Sequence, residues 1–142
     1  MNKRNEIVKE ALTWVGTPYH HAAKVKGGGT DCAMILIEVY STVGLIENFT
    51  PEYYPMDWAL HRGEERYLEN VLKYAEETTS PKIGDIIVYK FGRCISHAGI
   101  LIGDNQMVHA WMRSGDVSVS RIDEGELAGR ISGYYSVFKA GK

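Results

Sequence analysis

The hydrophobic period of this chain changes once, near residue 85, and that change limits the folds open to it. Before it, apolar residues recur at helical spacing: Ile7, Val8, Ala11, Leu12 and Val15 mark an amphipathic helix over residues 3–15. Gly16 is placed to cap it and Pro18 prevents its continuation. From Ala33 to Val43 only Glu38, Ser41 and Thr42 are polar, so a second, apolar helix runs to about Val43, with Gly44 as its stop. Tyr67, Leu68, Val71, Leu72 and Ala75 mark a third, closed by Pro81. After residue 85 the apolar residues form strand-sized blocks at 86–89, 98–102, 107–112, 117–120 and 131–138. Gly92, Gly103-Asp104-Asn105 and Ser114-Gly115-Asp116 are the turn signals between most of them. Helices first and an antiparallel sheet after is an α+β pattern. At 142 residues the chain is one domain by size, spanning 1–142, with enough length for a core.

Within that frame one residue carries reactive chemistry. Cys32 follows the run Gly27-Gly28-Gly29-Thr30-Asp31 and opens the apolar second helix. A thiol at a helix N-terminus feels the positive end of the helix dipole, which lowers its pKa and favours the nucleophilic thiolate. A free cysteine is more often an inert core residue. Three features oppose that reading: the position at the helix start, the glycines that let a ligand approach the backbone, and two good N-cap residues, Thr30 and Asp31.

His97 opens one strand and His109 lies in the next. If Ile102 faces Gln106 across a three-residue turn, His109 faces Gly99 and shares a face with His97. The two imidazoles are then diagonal neighbours about 7 Å apart at Cβ, and Gly99 leaves room for a ring. An odd register would point them to opposite faces. With the Cys32 helix packed on the histidine face, Cys32 is the nucleophile, His97 its general base and His109 the residue that orients His97. The backbone N–H groups of Cys32 and its neighbours would receive the oxyanion.

The segments Trp14-Val15-Gly16-Thr17-Pro18-Tyr19, Asp31-Cys32, Gly84-Asp85-Ile86, His97-Ala98-Gly99-Ile100 and Val108-His109-Ala110 stand in an order that resembles the NlpC-type, papain-like cell-wall cysteine peptidases. The tail Gly129-Arg130-Ile131-Ser132-Gly133-Tyr134-Tyr135 resembles the members carried by phage tails and gene-transfer particles. The resemblance implies a papain-like fold and cleavage of peptidoglycan stem peptides, commonly between D-glutamate and the diamino acid. It implies nucleophile, base and orienting residue at Cys32, His97 and His109. It also implies a place for Tyr19 in substrate or oxyanion contact, and for Asp31 near the substrate's amine. Ala33-Met34 stands where the family usually has Ser-Gly, which bears on stem-peptide specificity. An acyl transferase, or a non-catalytic tail-tip or baseplate binding module of the same fold, is the alternative.

The remaining signals are weaker. His20 and His21 precede the nucleophile in a loop and His61 lies in a polar stretch. Cys94 stands three residues before His97, which strand alternation sets on the opposite face, and is taken as structural. A zinc site from Cys32, His97 and His109 is not favoured, since no Cys-x-x-Cys or His-x-x-x-His pair is present; no metal or cofactor is expected. Trp14, Trp58 and Trp111 are core or groove wall. The glycine run lacks Gly-Lys-Ser/Thr and follows no strand, so it does not read as a phosphate loop. A net charge of −2 gives no case for nucleic acid. Lys3, Arg4, Glu6, Lys9 and Glu10 break any apolar run near the start, so no signal peptide is expected there and no membrane insertion either. Such a product is expected to be made in the cytoplasm and to need a vehicle to reach the wall: a phage tail, a gene-transfer particle, a contractile secretion system or lysis through a membrane pore.

Overall fold

A computed structural model describes residues 2–21, 23–49, 69, 72–92 and 94–138, with only the backbone at residue 94. The chain runs α1 (Lys3–Leu12), β1 (Lys24–Val25), β2 (Gly29–Thr30), α2 (Met34–Thr42), β3 (Glu76–Thr78), β4 (Ile86–Phe91), β5 (Cys94–Gly103), β6 (Gln106–Trp111), β7 (Asp116–Arg121) and β8 (Ile131–Ser136). A single 3-10 turn, Gly125–Leu127, precedes β8. The third helix expected over 67–75 falls almost wholly outside the described residues, as do Trp58 and His61.

α1 starts at Asn2, whose side chain accepts from Asn5 N–H. It stops at Leu12, three residues before the expected end, and residues 13–16 continue as turns up to Gly16 at φ 93°. Residues 17–30 are less irregular than expected, since β1 and β2 pair there as a short ribbon.

The large sheet has the order β3-β8-β4-β5-β6-β7. Consecutive strands β4 to β7 form antiparallel neighbours, while β8 returns to lie between β3 and β4. Strand alternation divides the sheet into two faces. Ile86, Val88, Ala98, Ile100, Val108, Ala110 and Val117 pack with Ile7, Ala11 and the apolar α2 into the main core. The opposite face carries Ile87, Tyr89 and Met107, covered by Leu127 from the loop before β8.

The register of β5 on β6 is the expected one, with Ile100 opposite Val108 and Leu101 opposite Met107. The turn differs. Gly103 pairs with Gln106, and Asp104 and Asn105 lie at φ 54° and 58°, a two-residue turn of the I′ kind. A register irregularity between Leu101 and Gly103 absorbs the extra residue. A second lies at the other end of β5, where Tyr89 pairs with His97 but Lys90 with Ile95. Ser96 is the inserted residue. Alternation counted from His97 to Cys94 therefore breaks: Cys94 pairs with Phe91, two residues on from the partner of His97, and the opposite-face argument for Cys94 does not hold.

One buried ion pair ties the start of α1 to the sheet. Arg4 Nη1 donates to Asp85 Oδ1 at 2.8 Å and to Ile83 O at 3.0 Å, while Lys82 N–H donates to Asp85 Oδ2 at 2.8 Å. Removing the carboxylate leaves the guanidinium without its counter-charge and the Lys82 N–H without its acceptor. Asp85→Ala is expected to lose about 3 kcal/mol of stability in urea unfolding, and Asp85→Asn less, because the amide oxygen still accepts from Lys82.

Candidate active site

Asp31 builds the start of α2. Its Oδ1 accepts from Ala33 N–H at 3.1 Å and Met34 N–H at 2.9 Å, while Ile35 N–H bonds its backbone oxygen at 3.1 Å. This is N-cap geometry. Cys32 is thus the first residue of the helical turn, two residues ahead of the regular helix. The Asp31 carboxylate is buried and its Oδ1 serves the helix. It also takes two N–H groups that were expected to serve an oxyanion, those of Ala33 and Met34. Both of these residues are themselves buried in the main core, so neither side chain is presented as a contact surface.

Cys32 is buried, 3% exposed, and its Sγ lies 3.9 Å from the backbone oxygen of Ser96. Ser96 is the inserted residue of the β5 irregularity and the one before His97. The loop before α2 is pinned to the far edge of the sheet. Gly16 N–H and Val117 N–H exchange bonds with Val117 O and Thr17 O, each at 2.8 Å. Tyr19 is half-buried; its N–H donates to Gly115 O at 2.8 Å, and it bridges Thr30, two residues before Cys32. Tyr19 and Cys32 thus belong to one hydrogen-bonded segment.

His97 and His109 share a face, as the even register requires. His97 Nε2 lies 2.7 Å from His109 Nδ1, and His109 Nε2 lies 2.8 Å from Ser120 Oγ on β7. That face is not the one covered by the helices. The two rings lie among Tyr89, Phe91 and Trp111, with ring centroids 5.5 to 6.4 Å apart. The expectation that α2 packs on the histidine face is thereby corrected. The thiol lies beside the β5 irregularity next to His97, while the core face of the sheet belongs to α1 and α2.

Sequence reasoning missed Ser120 and the aromatic shell. The alternating run Asp116-Val-Ser-Val-Ser-Arg121 places Ser118 and Ser120 on one face, but which face meets His109 depends on the register of β6 on β7. Trp111 forms part of the shell wall, whereas Trp14 is buried in the main core with Nε1–H donating to Glu10 Oε2. His20 is exposed, with Nδ1 bonded to His21 O. Among the described residues no group of three His, Cys, Asp or Glu side chains is placed to hold a metal ion, and no helix is long and apolar enough to cross a membrane.

Burial sets the charge state of the pair. Desolvation holds His97 well below the ordinary histidine value, and the neighbouring His109 pushes it further down. Desolvation lowers His109 to about 4, opposed by the Asp116 carboxylate. Both rings are neutral at pH 7. A neutral His97 able to accept at Nδ1 carries its proton on Nε2 and donates it to His109 Nδ1. His109 then carries its own proton on Nε2 and donates to Ser120 Oγ.

The NlpC/P60 family model matches residues 16–135. The chain belongs to the NlpC/P60 family. It is 28% identical over 132 residues to the gamma-DL-glutamyl hydrolase of Bacillus subtilis, covering 89% of this chain and 28% of that protein. It is 33% identical over 111 residues to a probable endopeptidase NlpC homolog of Haemophilus influenzae, covering 78% of this chain and 50% of that one. The chain thus spans half or less of the length of these curated relatives. Among solved structures, an NLP/P60 family protein of Staphylococcus aureus superposes with a TM-score of 0.68 at 18% identity, over 96% of this chain and 42% of that one. RipD of Mycobacterium tuberculosis, described as a non-catalytic NlpC/p60 domain protein adapted to peptidoglycan binding, superposes at 0.64 and 14% identity, over 96% and 97%. These likenesses show the papain-like α+β fold.

Two expectations follow from the buried pair. Between the ordinary histidine value and about 4, the unfolded chain binds a proton that folded His109 refuses, so stability is full above pH 6.5 and falls as pH drops towards 4. His109 alone is expected to withdraw about 3 kcal/mol over that window, read as a falling urea midpoint, and His109→Asn to flatten the loss. Separately, a Cβ on Gly99 would overlap Met107 Sδ and stand 3.2 Å from His109 Cβ. Gly99→Ala is expected to cost about 1–3 kcal/mol of stability, and to lower activity by displacing His109.

Proposed function

We propose that this chain is a cysteine peptidase that hydrolyses peptide bonds of bacterial peptidoglycan stem peptides, with Cys32 as nucleophile, His97 as general base and His109 as the residue that orients it. The observation that carries the proposal is the imidazole pair, bonded at 2.7 Å, next to a buried cysteine held at the residue preceding His97. Among the described residues the His97 side chain uses Nε2 in a hydrogen bond with His109, which leaves Nδ1 for the thiol.

The chemistry runs in two halves. His97 Nδ1 takes the thiol proton while Sγ attacks the scissile carbonyl carbon, forming a tetrahedral oxyanion. Collapse breaks the C–N bond, and His97 returns the proton to the leaving amine. A thioester remains. Water then attacks it while His97 takes a proton from the water; collapse breaks the C–S bond, the acid is released, and His97 returns the proton to Sγ. In each half His97 passes through an imidazolium with both nitrogens protonated. His109 Nδ1 accepts from Nε2–H and stabilises that state, while Ser120 Oγ fixes His109. Tyr19 is the side chain we assign to substrate or oxyanion contact, supported by its tie to Thr30. For Asp31 the proposed contact with the substrate's amine would be additional to its use as a cap.

The names of the relatives, a gamma-DL-glutamyl hydrolase and an endopeptidase, support the bond on the carboxyl side of D-glutamate as the one cut. Carriage by a phage tail or gene-transfer particle is supported by the likeness of the 129–135 segment. The non-catalytic binding module is the second reading, and the fold it shares with RipD, described as non-catalytic, supports it.

Release of soluble muropeptides from purified sacculi tests the proposal. Cys32→Ala is expected to abolish release, and release at the wild-type rate would refute the nucleophile. His97→Ala is expected to lose ~10²–10⁴-fold. His109→Asn should keep more activity than His109→Ala, with kcat falling and KM nearly unchanged. A new amide bond in the products, in place of hydrolysis, would mark an acyl transferase.

A further inference from the structure

β7 lies beside the histidine pair, and its first residue has no part in the chemistry above. In the pairing of β6 with β7, Ser118 stands opposite His109, Asp116 opposite Trp111 and Ser120 opposite Met107. Residues directly opposite in an antiparallel pair share a face, so Asp116, Ser118 and Ser120 all project on the histidine side of the sheet. Ser120 and Asp116 are the two diagonal neighbours of His109, each about 7 Å away at Cβ. Ser120 Oγ is bonded to His109 Nε2; Asp116 brings a carboxylate. His109 Nδ1 faces His97 on β5, so its Nε2 side is the β7 side. We propose that Asp116 is a positioning residue, whose carboxylate on the Nε2 side of His109 selects the direction of hydrogen bonding that leaves His97 Nδ1 able to take the thiol proton. This rests on the peptidase reading and adds to it what sets the resting state of the base.

A neutral imidazole carries one proton, and a hydroxyl both donates and accepts, so the chain His97–His109–Ser120 has two directions. In one, His97 Nε2–H donates to His109 Nδ1 and His109 Nε2–H donates to Ser120 Oγ. In the other, Ser120 donates to His109 Nε2, His109 Nδ1–H donates to His97 Nε2, and His97 holds its proton on Nδ1. Switching moves one proton between the nitrogens of each ring and turns the hydroxyl, with no change of net charge. The first direction turns the N–H groups towards β7 and the second turns them away. A negative charge on β7 therefore stabilises the first. Three observations make Asp116 that charge. Its backbone is held on both sides: it pairs with Trp111 and bridges Pro18, while Gly115 O accepts from Tyr19 N–H and Val117 N–H donates to Thr17 O, each at 2.8 Å. Among the described residues no side chain pairs with its carboxylate, and Arg113 pairs with Glu126 instead. Its charge registers at His109, where it opposes the desolvation of the ring. The other ionisable groups around the pair are otherwise engaged or lie further out. Tyr89 Oη–H bonds Ile122 O, and Asp123 accepts from Gly129 N–H. Arg113, Glu126 and Arg130 lie beyond the rings of Phe91 and Trp111, and Cys32 lies beside Ser96.

Histidine ring 15N shifts, measured by NMR at pH 7 on the whole protein, report which nitrogen carries the proton and need no turnover. The wild type is expected to show His97 protonated at Nε2 and bare at Nδ1. Asp116→Asn keeps the backbone ties and is expected to give a mixture of the two forms at an unchanged melting temperature. Asp116→Lys should turn the majority to Nδ1–H. His109 is expected to titrate lower in Asp116→Asn than in the wild type. In muropeptide release, kcat is expected to fall about three- to tenfold in Asp116→Asn and further in Asp116→Lys. KM stays nearly unchanged, because the carboxylate acts through His109. A wild-type His97 protonated at Nδ1 overturns the selection, and so does a proton position that neither variant moves. A rise in KM at constant kcat also overturns it, by setting Asp116 on the substrate. An unmoved proton together with hydrolysis leaves the peptidase reading standing without this role. A moved proton without hydrolysis by the wild type supports the selection and overturns the peptidase reading.

Discussion

The register of β5 on β6 decides what this molecule can do. A slip of one residue in that pair would turn His97 or His109 into the face covered by α1 and α2, where neither ring would find its partner. Several local features hold the register. Asp104 and Asn105 adopt the left-handed conformations that a two-residue I′ turn demands. Ile122 N–H bonds Asn105 O, and Tyr89 Oη–H bonds Ile122 O at 2.7 Å, so the turn is anchored to the loop that covers the outer face. Between the strands, Gly99 lets Met107 and His109 lie over the β5 backbone without a Cβ in the way. The same register places Ala98, Ile100, Val108 and Ala110 towards the helices, so it sets the core and the histidine pair together.

Much of this was legible in the sequence because it rests on alternation and on local signals. The change of period near residue 85 located the strands, and Asp31 before an apolar run located the start of α2. The even register was one of two open to the hairpin, and the glycine it sets opposite His109 agreed with it. What escaped has a common physical cause: irregularities that add one residue and so invert a count of two. The insertion at Ser96 undid the argument about Cys94, and the irregularity near Gly103 shortened the expected turn. Ser120 escaped for a related reason, since no local signal fixes how β7 aligns on β6. The face to which the helices belong was also misread. Alternation shows that two faces exist, but only the aliphatic composition of one face against the aromatic composition of the other shows which the helices cover.

The insertion at Ser96 has a part in the site itself. A regular strand presents its side chains straight to one face or the other. An inserted residue bends the strand and increases its twist at that point. Here it lies between Ile95 and His97, with its backbone oxygen facing the Cys32 thiol. A helix packed on one face thus brings its first residue to the place where the strand carrying an imidazole on the other face is bent.

The serine at the end of the histidine chain makes the proton arrangement conditional. A carboxylate in that place would only accept, and would fix His109 with its proton on Nε2. A hydroxyl both donates and accepts. If Ser120 donated, His109 would donate from Nδ1 to His97 Nε2, and His97 would present Nδ1–H to the thiol, unable to take its proton. The resting pair therefore has two directions, and one of them is productive. If His97 takes the thiol proton, as proposed, its Nε2 can only donate. His109 Nδ1 must accept, and His109 Nε2 must donate to Ser120. In the proposed mechanism, formation of the imidazolium would select the direction that stabilises it, so a neutral histidine and a serine would do together what a fixed negative charge does alone. With both rings desolvated and neutral at rest, the pair carries no charge before the proposed proton transfer.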